Sequence, residues 1–240
     1  MTSTQLLVVF LASALGALVK SVTGLGYPVL AVPVISLVLG IESAVVIVAI
    51  PNLASNIFLC WESRDARDQT RDLGRLCGFG VLGAVIGTIA LVRLPEEPML
   101  ILLALSIFGF IFQFFRKPEL ALSAEVTRRW SPAVGLLAGA MQGAIGVSGP
   151  IVATWTHIYQ LSIRAYIHSI TLIFGVTGAV QLLILLLNGQ MSSARVLGAV
   201  VASLAVAVVT PIGLRLRGRL AGDAFQKLVL ITLLVSAGAL

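Results

Sequence analysis

Charge is what this chain has least of: Asp, Glu, Lys and Arg together make up 11% of 240 residues, where a soluble domain carries roughly 25%. That shortage excludes a soluble enzyme. The ten acidic residues lie almost entirely in short polar islands, and none falls inside a long apolar run except Glu42, at a helix mouth. A carboxylate relay for protons or a carboxylate sodium site of the usual pump type is therefore disfavoured. The two cysteines, Cys60 and Cys77, flank one polar loop with no CxxC spacing and no histidine close in sequence, so they read as packing residues rather than as a metal or redox site. No phosphate-binding loop with GK, no HExxH and no GxSxG is present, so neither ATP hydrolysis nor another enzymatic activity is expected, and no cofactor. The formal net charge is +6, but the basic residues neither share one helical face nor alternate with aromatics, so nucleic acid is not an expected partner. Met1 to Gln5 is uncharged and no small-residue cleavage site closes the first apolar run, so no signal peptide is expected.

What the chain does have is apolar length: 58% of its residues are hydrophobic and its mean hydropathy is +1.06. A spanning helix needs ~20 mostly apolar residues, and the runs 41–60, 74–92, 98–115, 165–187 and 194–214 are close to that, with a shorter one at 225–240. Two other regions are apolar but broken. Residues 5–39 are interrupted at Lys20-Ser21-Val22-Thr23-Gly24-Leu25-Gly26-Tyr27-Pro28, and 131–160 at Gln142-Gly143-Ala144-Ile145-Gly146-Val147-Ser148-Gly149-Pro150. The apolar arms on either side are at most 15 residues long, or ~20 Å at 1.5 Å per residue, which predicts helices that reach about halfway across a bilayer.

Shifting the first interruption by 122 residues lays Gly24 on Gly146, Pro28 on Pro150, Ala31 on Ala153 and Ile41 on Ile163. A shift of 126 lays Ile86-Gly87 on Ile212-Gly213 and Leu94 on Leu220. The order of these matches predicts an internal repeat. Placing loop 61–75 in the cytoplasm puts thirteen Lys and Arg inside against two outside, Arg93 and Arg195, with Lys20 set aside. That count holds only if each broken region returns to the side it left, which gives each half an odd number of crossings and inverts the halves relative to one another. The expected fold is thus an all-α polytopic membrane protein of two inverted repeats, each a broken re-entrant helical hairpin followed by three spanning helices. The first repeat is 1–115 (hairpin 5–39, spans 41–60, 74–92, 98–115), the cytoplasmic linker 116–130, and the second repeat 131–240 (hairpin 131–160, spans 165–187, 194–214, 225–240). This is the layout of secondary transporters, which bind substrate near the midplane between repeats.

The breaks supply the chemistry. Backbone N–H groups freed in lipid must be satisfied by protein, water or ligand, and Pro28 and Pro150 suit the first turn of a second arm because they lack the N–H that would be orphaned there. Gly24, Gly26, Gly146 and Gly149 permit close backbone approach. Helix starts of this kind favour an anion. Lys20 is the one cation in the broken regions, and an ammonium inside a membrane is a functional candidate by default. Thr23, Tyr27, Gln142 and Ser148 add polar contacts, and Asn52 places an amide inside a spanning run. The competing reading makes Lys20 a snorkelling cap, the glycines helix-contact sites and Asn52 interhelical glue. His157 and His168 are the side chains that ordinarily titrate near neutrality, hence candidates for proton linkage, and equally ordinary interface histidines.

The segment Gly24-Leu25-Gly26-Tyr27-Pro28-Val29-Leu30-Ala31-Val32-Pro33 and its counterpart Gly146-Val147-Ser148-Gly149-Pro150-Ile151-Val152-Ala153 resemble the paired signatures of the sulfite exporter family of the TauE/SafE type. The likeness extends over essentially the whole chain. It implies a bacterial cytoplasmic-membrane exporter of small sulfur-containing anions such as sulfite or organosulfonates, with the small anion and the lipid bilayer as partners and a homo-oligomer compatible with the layout. An importer or exchanger of another small solute, or a membrane assembly protein without transport, remains the alternative.

Overall fold

The structure, a computed structural model, describes residues 1–23, 25–115 and 122–220, and their side chains except those of 22, 23, 113–115 and 216–220. The expected span 225–240, the residue Gly24, the Thr23 side chain and the basic linker residues Arg116 and Lys117 lie outside the described residues. The described chain is helical, with no strand: α1 (Ser3–Thr23), α2 (Tyr27–Leu39), α3 (Ile41–Glu62), a short 3-10 turn (Arg64–Gln69), α4 (Leu73–Arg93), α5 (Glu96–Phe115), α6 (Ala124–Ile145), α7 (Gly149–Ile158), α8 (Ile163–Leu187) and α9 (Ser193–Leu220). Helices α1, α3, α4, α8 and α9 are long and apolar enough to cross a membrane. Phe58, Leu82, Ile86, Ile101, Leu105, Leu183 and Leu204 are among many large apolar side chains left exposed on their outer faces. A soluble protein would bury such surface; here it suits contact with lipid.

Both expected breaks are present. α1 ends at Thr23 and α2 starts at Tyr27 after Gly26, whose φ of 106° only glycine adopts readily, with Pro28 in the first turn. α6 ends at Gly146, φ 70°, whose N–H returns to the Gln142 carbonyl at 2.9 Å, and α7 starts at Gly149 with Pro150 in its first turn. The arms are less even than the sequence predicts. α1 has 21 residues and α6 22, against 13 in α2 and 10 in α7. α1 runs on through Lys20, Ser21, Val22 and Thr23 at the break, which makes it long enough to cross rather than to reach halfway, while α6 gains most of its length at the outer end, where Ser123 caps it by accepting from the Val126 N–H at 3.4 Å.

α4 packs along α6, α1 along α9, and α3 against α8 at the centre; α4 also meets α8, and α9 meets α3. Lipid offers helices no hydrophobic drive to associate, so close backbone approach has to do it. A Cβ added to Gly83 would stand 2.0 Å from the Leu136 carbonyl oxygen, and one on Gly139 1.9 Å from that of Gly80. Glycines at these places bring α4 and α6 into backbone contact. At the rim, the Glu96 carboxylate accepts from the Ile41 N–H at 2.8 Å and so caps α3, while Arg195 pairs with Glu42 at 3.0 Å. At the opposite rim Arg164 reaches Asp65 at 2.7 Å, tying the start of α8 to the 3-10 turn.

Candidate functional site

The two breaks face one another across a single small cavity. Its wall is formed by Lys20, Leu25, Gly26, Pro28, Asn52 and neighbours from the first half, and by Gln142, Gly146, Ser148, Gly149 and Phe174 from the second. A Cβ on Gly149 would lie 3.6 Å from Val29, so the tips almost touch. The free volume is about 20 Å³, room for roughly one water molecule.

Lys20 comes from the last turn of α1 and is 5% exposed. Its ammonium donates to Asn52 Oδ1 at 3.1 Å, Ser55 Oγ at 2.8 Å and Asn56 Oδ1 at 2.7 Å. All three acceptors lie on one face of α3, because residues three and four apart are neighbours on a helix, and none of them is acidic. The contact fixes the depth of the first break near the middle of α3, between Ile41 and Glu62. In the second half Gln142 occupies the position matching Lys20. Its amide donates to Gln181 Oε1 of α8 at 3.3 Å and its Oε1 accepts from Ser148 at 3.1 Å, while Gln181 Nε2 donates to the Gln142 carbonyl at 2.7 Å. Each broken helix is thus fastened by side-chain amides to the central helix of its own half, but one fastening carries a cation and the other is neutral. Every buried side-chain nitrogen and oxygen among the described residues has a partner.

Of the residues singled out from sequence, Lys20, Gly26, Pro28, Asn52, Gln142, Gly146, Ser148 and Gly149 therefore come together. Pro150 stands behind them in the first turn of α7. Tyr27 departs from expectation: its hydroxyl turns back to Ser13 Oγ at 3.4 Å, away from the tip cavity, because the ring lies buried between α1 and α2, with its carbonyl against Gly16. His157 is exposed at the end of α7, away from the breaks. His168 is buried in α8, with its Nδ1 3.2 Å from the Cys60 carbonyl oxygen and 3.5 Å from Ser63 Oγ. Sequence reasoning missed Ser55, Asn56, Phe174 and Gln181. The available signal was periodicity: Asn56 is one turn beyond Asn52, and Gln181 is an amide inside an apolar span.

The geometry defines a class: a polytopic helical membrane protein in which a buried lysine and two helix starts line one cavity inside the bundle. Within that class the chain belongs to the sulfite exporter TauE/SafE family, whose model matches residues 9–240 and which comprises membrane transporters of sulfur anions. No curated protein and no solved structure matches the chain.

Proposed function

We propose that this protein is a secondary transporter that exports a small sulfur-containing anion, sulfite or an organosulfonate, across a bacterial cytoplasmic membrane by alternating access. The anion binds between the two helix breaks near the midplane, with Lys20 providing charge, Ser148 a hydroxyl and the first turns of α2 and α7 their N–H groups, which lack intrahelical carbonyl partners. The observation that carries this reading is Lys20 itself, a buried ammonium held by three neutral oxygens at the point where the breaks meet. An ammonium so placed lacks a counter-charge among its partners, and an anionic substrate would supply one.

The inverted repeat is supported by the pairing of elements. α4 on α6 answers α9 on α1, and α4 on α8 answers α9 on α3. The cavity wall follows the same 122-residue shift, since Lys20 and Gln142, Leu25 and Val147, Gly26 and Ser148, and Asn52 and Phe174 are all in it. Space for one water is too small for a four-atom anion, so the tips must part to admit one. Export of an anion is favoured by an inside-negative potential, ~2.3 kcal/mol per charge per 100 mV, and needs no coupled cation. The test is counterflow of labelled sulfite in proteoliposomes of the purified protein: exchange above that of protein-free vesicles is the expected result, and binding without flux would refute transport.

A further inference from the structure

The two outer helices close on their neighbours differently. α4 meets α6 backbone to backbone, and a Cβ on Gly80 would press the Thr177 methyl of α8 at 3.0 Å, so α4, α6 and α8 leave little between them. α9 meets α1 as tightly at one point, where a Cβ on Gly213 would lie 1.9 Å from Ser21 Oγ. Between Ser203 and Pro211, however, α9, α1 and α3 border a cleft of about 400 Å³ that opens outward along Ala54, Phe58 and Ala207, within the ~300–1,000 Å³ range of small-molecule sites. Its walls include Ala17, Ala54, Phe58, Val206 and Ala207. The Ser203 hydroxyl in that wall is spent on the Ala199 carbonyl at 2.7 Å. Lys20 and its partner Ser55 stand at the edge of this cleft, and Lys20 also stands in the wall of the tip cavity. The ammonium therefore stands between a chamber the size of one water and an apolar cleft about twenty times larger in free volume (400 Å³ against 20 Å³).

We propose that the cleft is a tail site for the transported anion. The charged sulfonate group stays between the breaks at Lys20, whose ammonium turns from Ser55 Oγ to one of the sulfonate oxygens while Asn52 and Asn56 remain its acceptors. The aliphatic chain bonded to that sulfonate runs between α1, α3 and α9. The preferred substrate is then a short-chain alkanesulfonate rather than bare sulfite, because apolar walls beside a single cation reward a ligand that is anionic at one end and apolar at the other, and give an inorganic anion nothing. Ser55 can release Lys20 without being stranded, since its own hydroxyl donates to the Asn52 carbonyl at 2.9 Å. This inference rests on the anion reading of Lys20 given above.

The experiment is competition by methane-, ethane-, propane- and butanesulfonate against labelled sulfite counterflow in proteoliposomes. Each methylene moved from water into the cleft should lower the half-inhibitory concentration roughly fourfold, the equivalent of ~0.8 kcal/mol. Ala207→Phe, from the α9 wall, and Ala54→Leu, from the α3 wall, should each flatten the series, and agreement between variants on different helices guards against a folding defect in one. A flat series in the wild type with sulfite still moved overturns the tail site and leaves the cleft to a membrane lipid. A steep series that survives in both variants places the chain elsewhere and overturns it equally. If neither sulfite nor any sulfonate is exchanged, the anion reading itself fails and the tail site with it.

Discussion

An ammonium carried into a membrane needs acceptors in place of water, and at Lys20 two amides and a hydroxyl of α3 take that place. Those side chains are therefore coupled to the charge they hold. Asn56→Ala removes the shortest of the three contacts, and an unsatisfied buried group of this kind costs ~1–3 kcal/mol, more when it is charged. The thermal midpoint should fall in Asn56→Ala and recover in the double variant with Lys20→Met, because without the ammonium the missing acceptor no longer matters. Additive losses would show that the two residues act independently. His168 and His157 also separate at this scale. His168 is buried against Cys60 and Ser63, whereas His157 is exposed and touches no element of the site. At the rim, Arg164 holds the Asp65 carboxyl below the usual carboxylate range, chiefly through its hydrogen bond. A carboxyl lowered in the folded protein stabilises it above the ordinary carboxylate range and ceases to do so as pH falls through the lowered value. Both side chains are more than half exposed, so Asp65→Asn should shift the melting temperature only slightly at neutral pH, and less still in high salt.

Among the elements, α4 and α6 make the sharpest claim. A Cβ at Gly139 meets backbone, whereas one at Gly78 of the same bundle meets nothing within 4 Å. Backbone cannot move aside as a flexible side chain can, so Gly139→Ala forces the helices apart at a cost of ~1–3 kcal/mol or more. Gly78→Ala should be neutral or, through helix propensity, mildly stabilising. Melting of the two variants in one detergent decides the matter, and equal midpoints would mean that the glycine contact does not hold the pair. Gly146 and Gly149 differ in another way. Neither meets a close neighbour, but Gly146 has a φ of 70° and Gly149 begins a regular helix, so a side chain at 146 strains the backbone before it fills any space. The helix breaks were legible in the sequence because glycine and proline act locally, and the spans α3, α4, α8 and α9 because apolar length is a local count, whereas α1, expected to reach only halfway, is long enough to cross. The full lengths of α1 and α6 were not legible, since α1 continues through the polar residues at the break and α6 begins with a polar first turn, and neither adds hydropathy. Lys20 announced itself by charge, but its partners did not. Ser55, Asn56 and Gln181 are uncharged residues in apolar runs, and only the reach of Lys20 from α1 to α3 and the packing of α6 against α8 show which face each one serves. Tyr27 misled for the same reason, as its place in the sequence puts it at the break while packing between α1 and α2 turns its hydroxyl to Ser13.

For the molecule as a whole, the basic loops predict the sidedness. Ser63 is 2% exposed and bonded to the Leu59 carbonyl, so a reporter cysteine belongs instead at exposed Asp68 or Glu125, with Glu97 for the opposite face. In a background lacking Cys60 and Cys77, an impermeant thiol reagent added to intact cells should label Glu97→Cys and spare Asp68→Cys and Glu125→Cys. Labelling of the latter two would invert the molecule and turn export into import. The account as a whole rests on an anion held at the paired breaks by Lys20, and the most direct measurement of that claim is sulfite binding and counterflow by wild type, Lys20→Met and Arg93→Gln, each shown to be folded and monodisperse. A hydrogen bond to a charged group is worth ~1.5–3 kcal/mol, so Lys20→Met should bind roughly tenfold to a hundredfold more weakly and lose flux in step, while Arg93→Gln, exposed at the end of α4, should match the wild type. Wild-type affinity and flux in Lys20→Met would contradict the account.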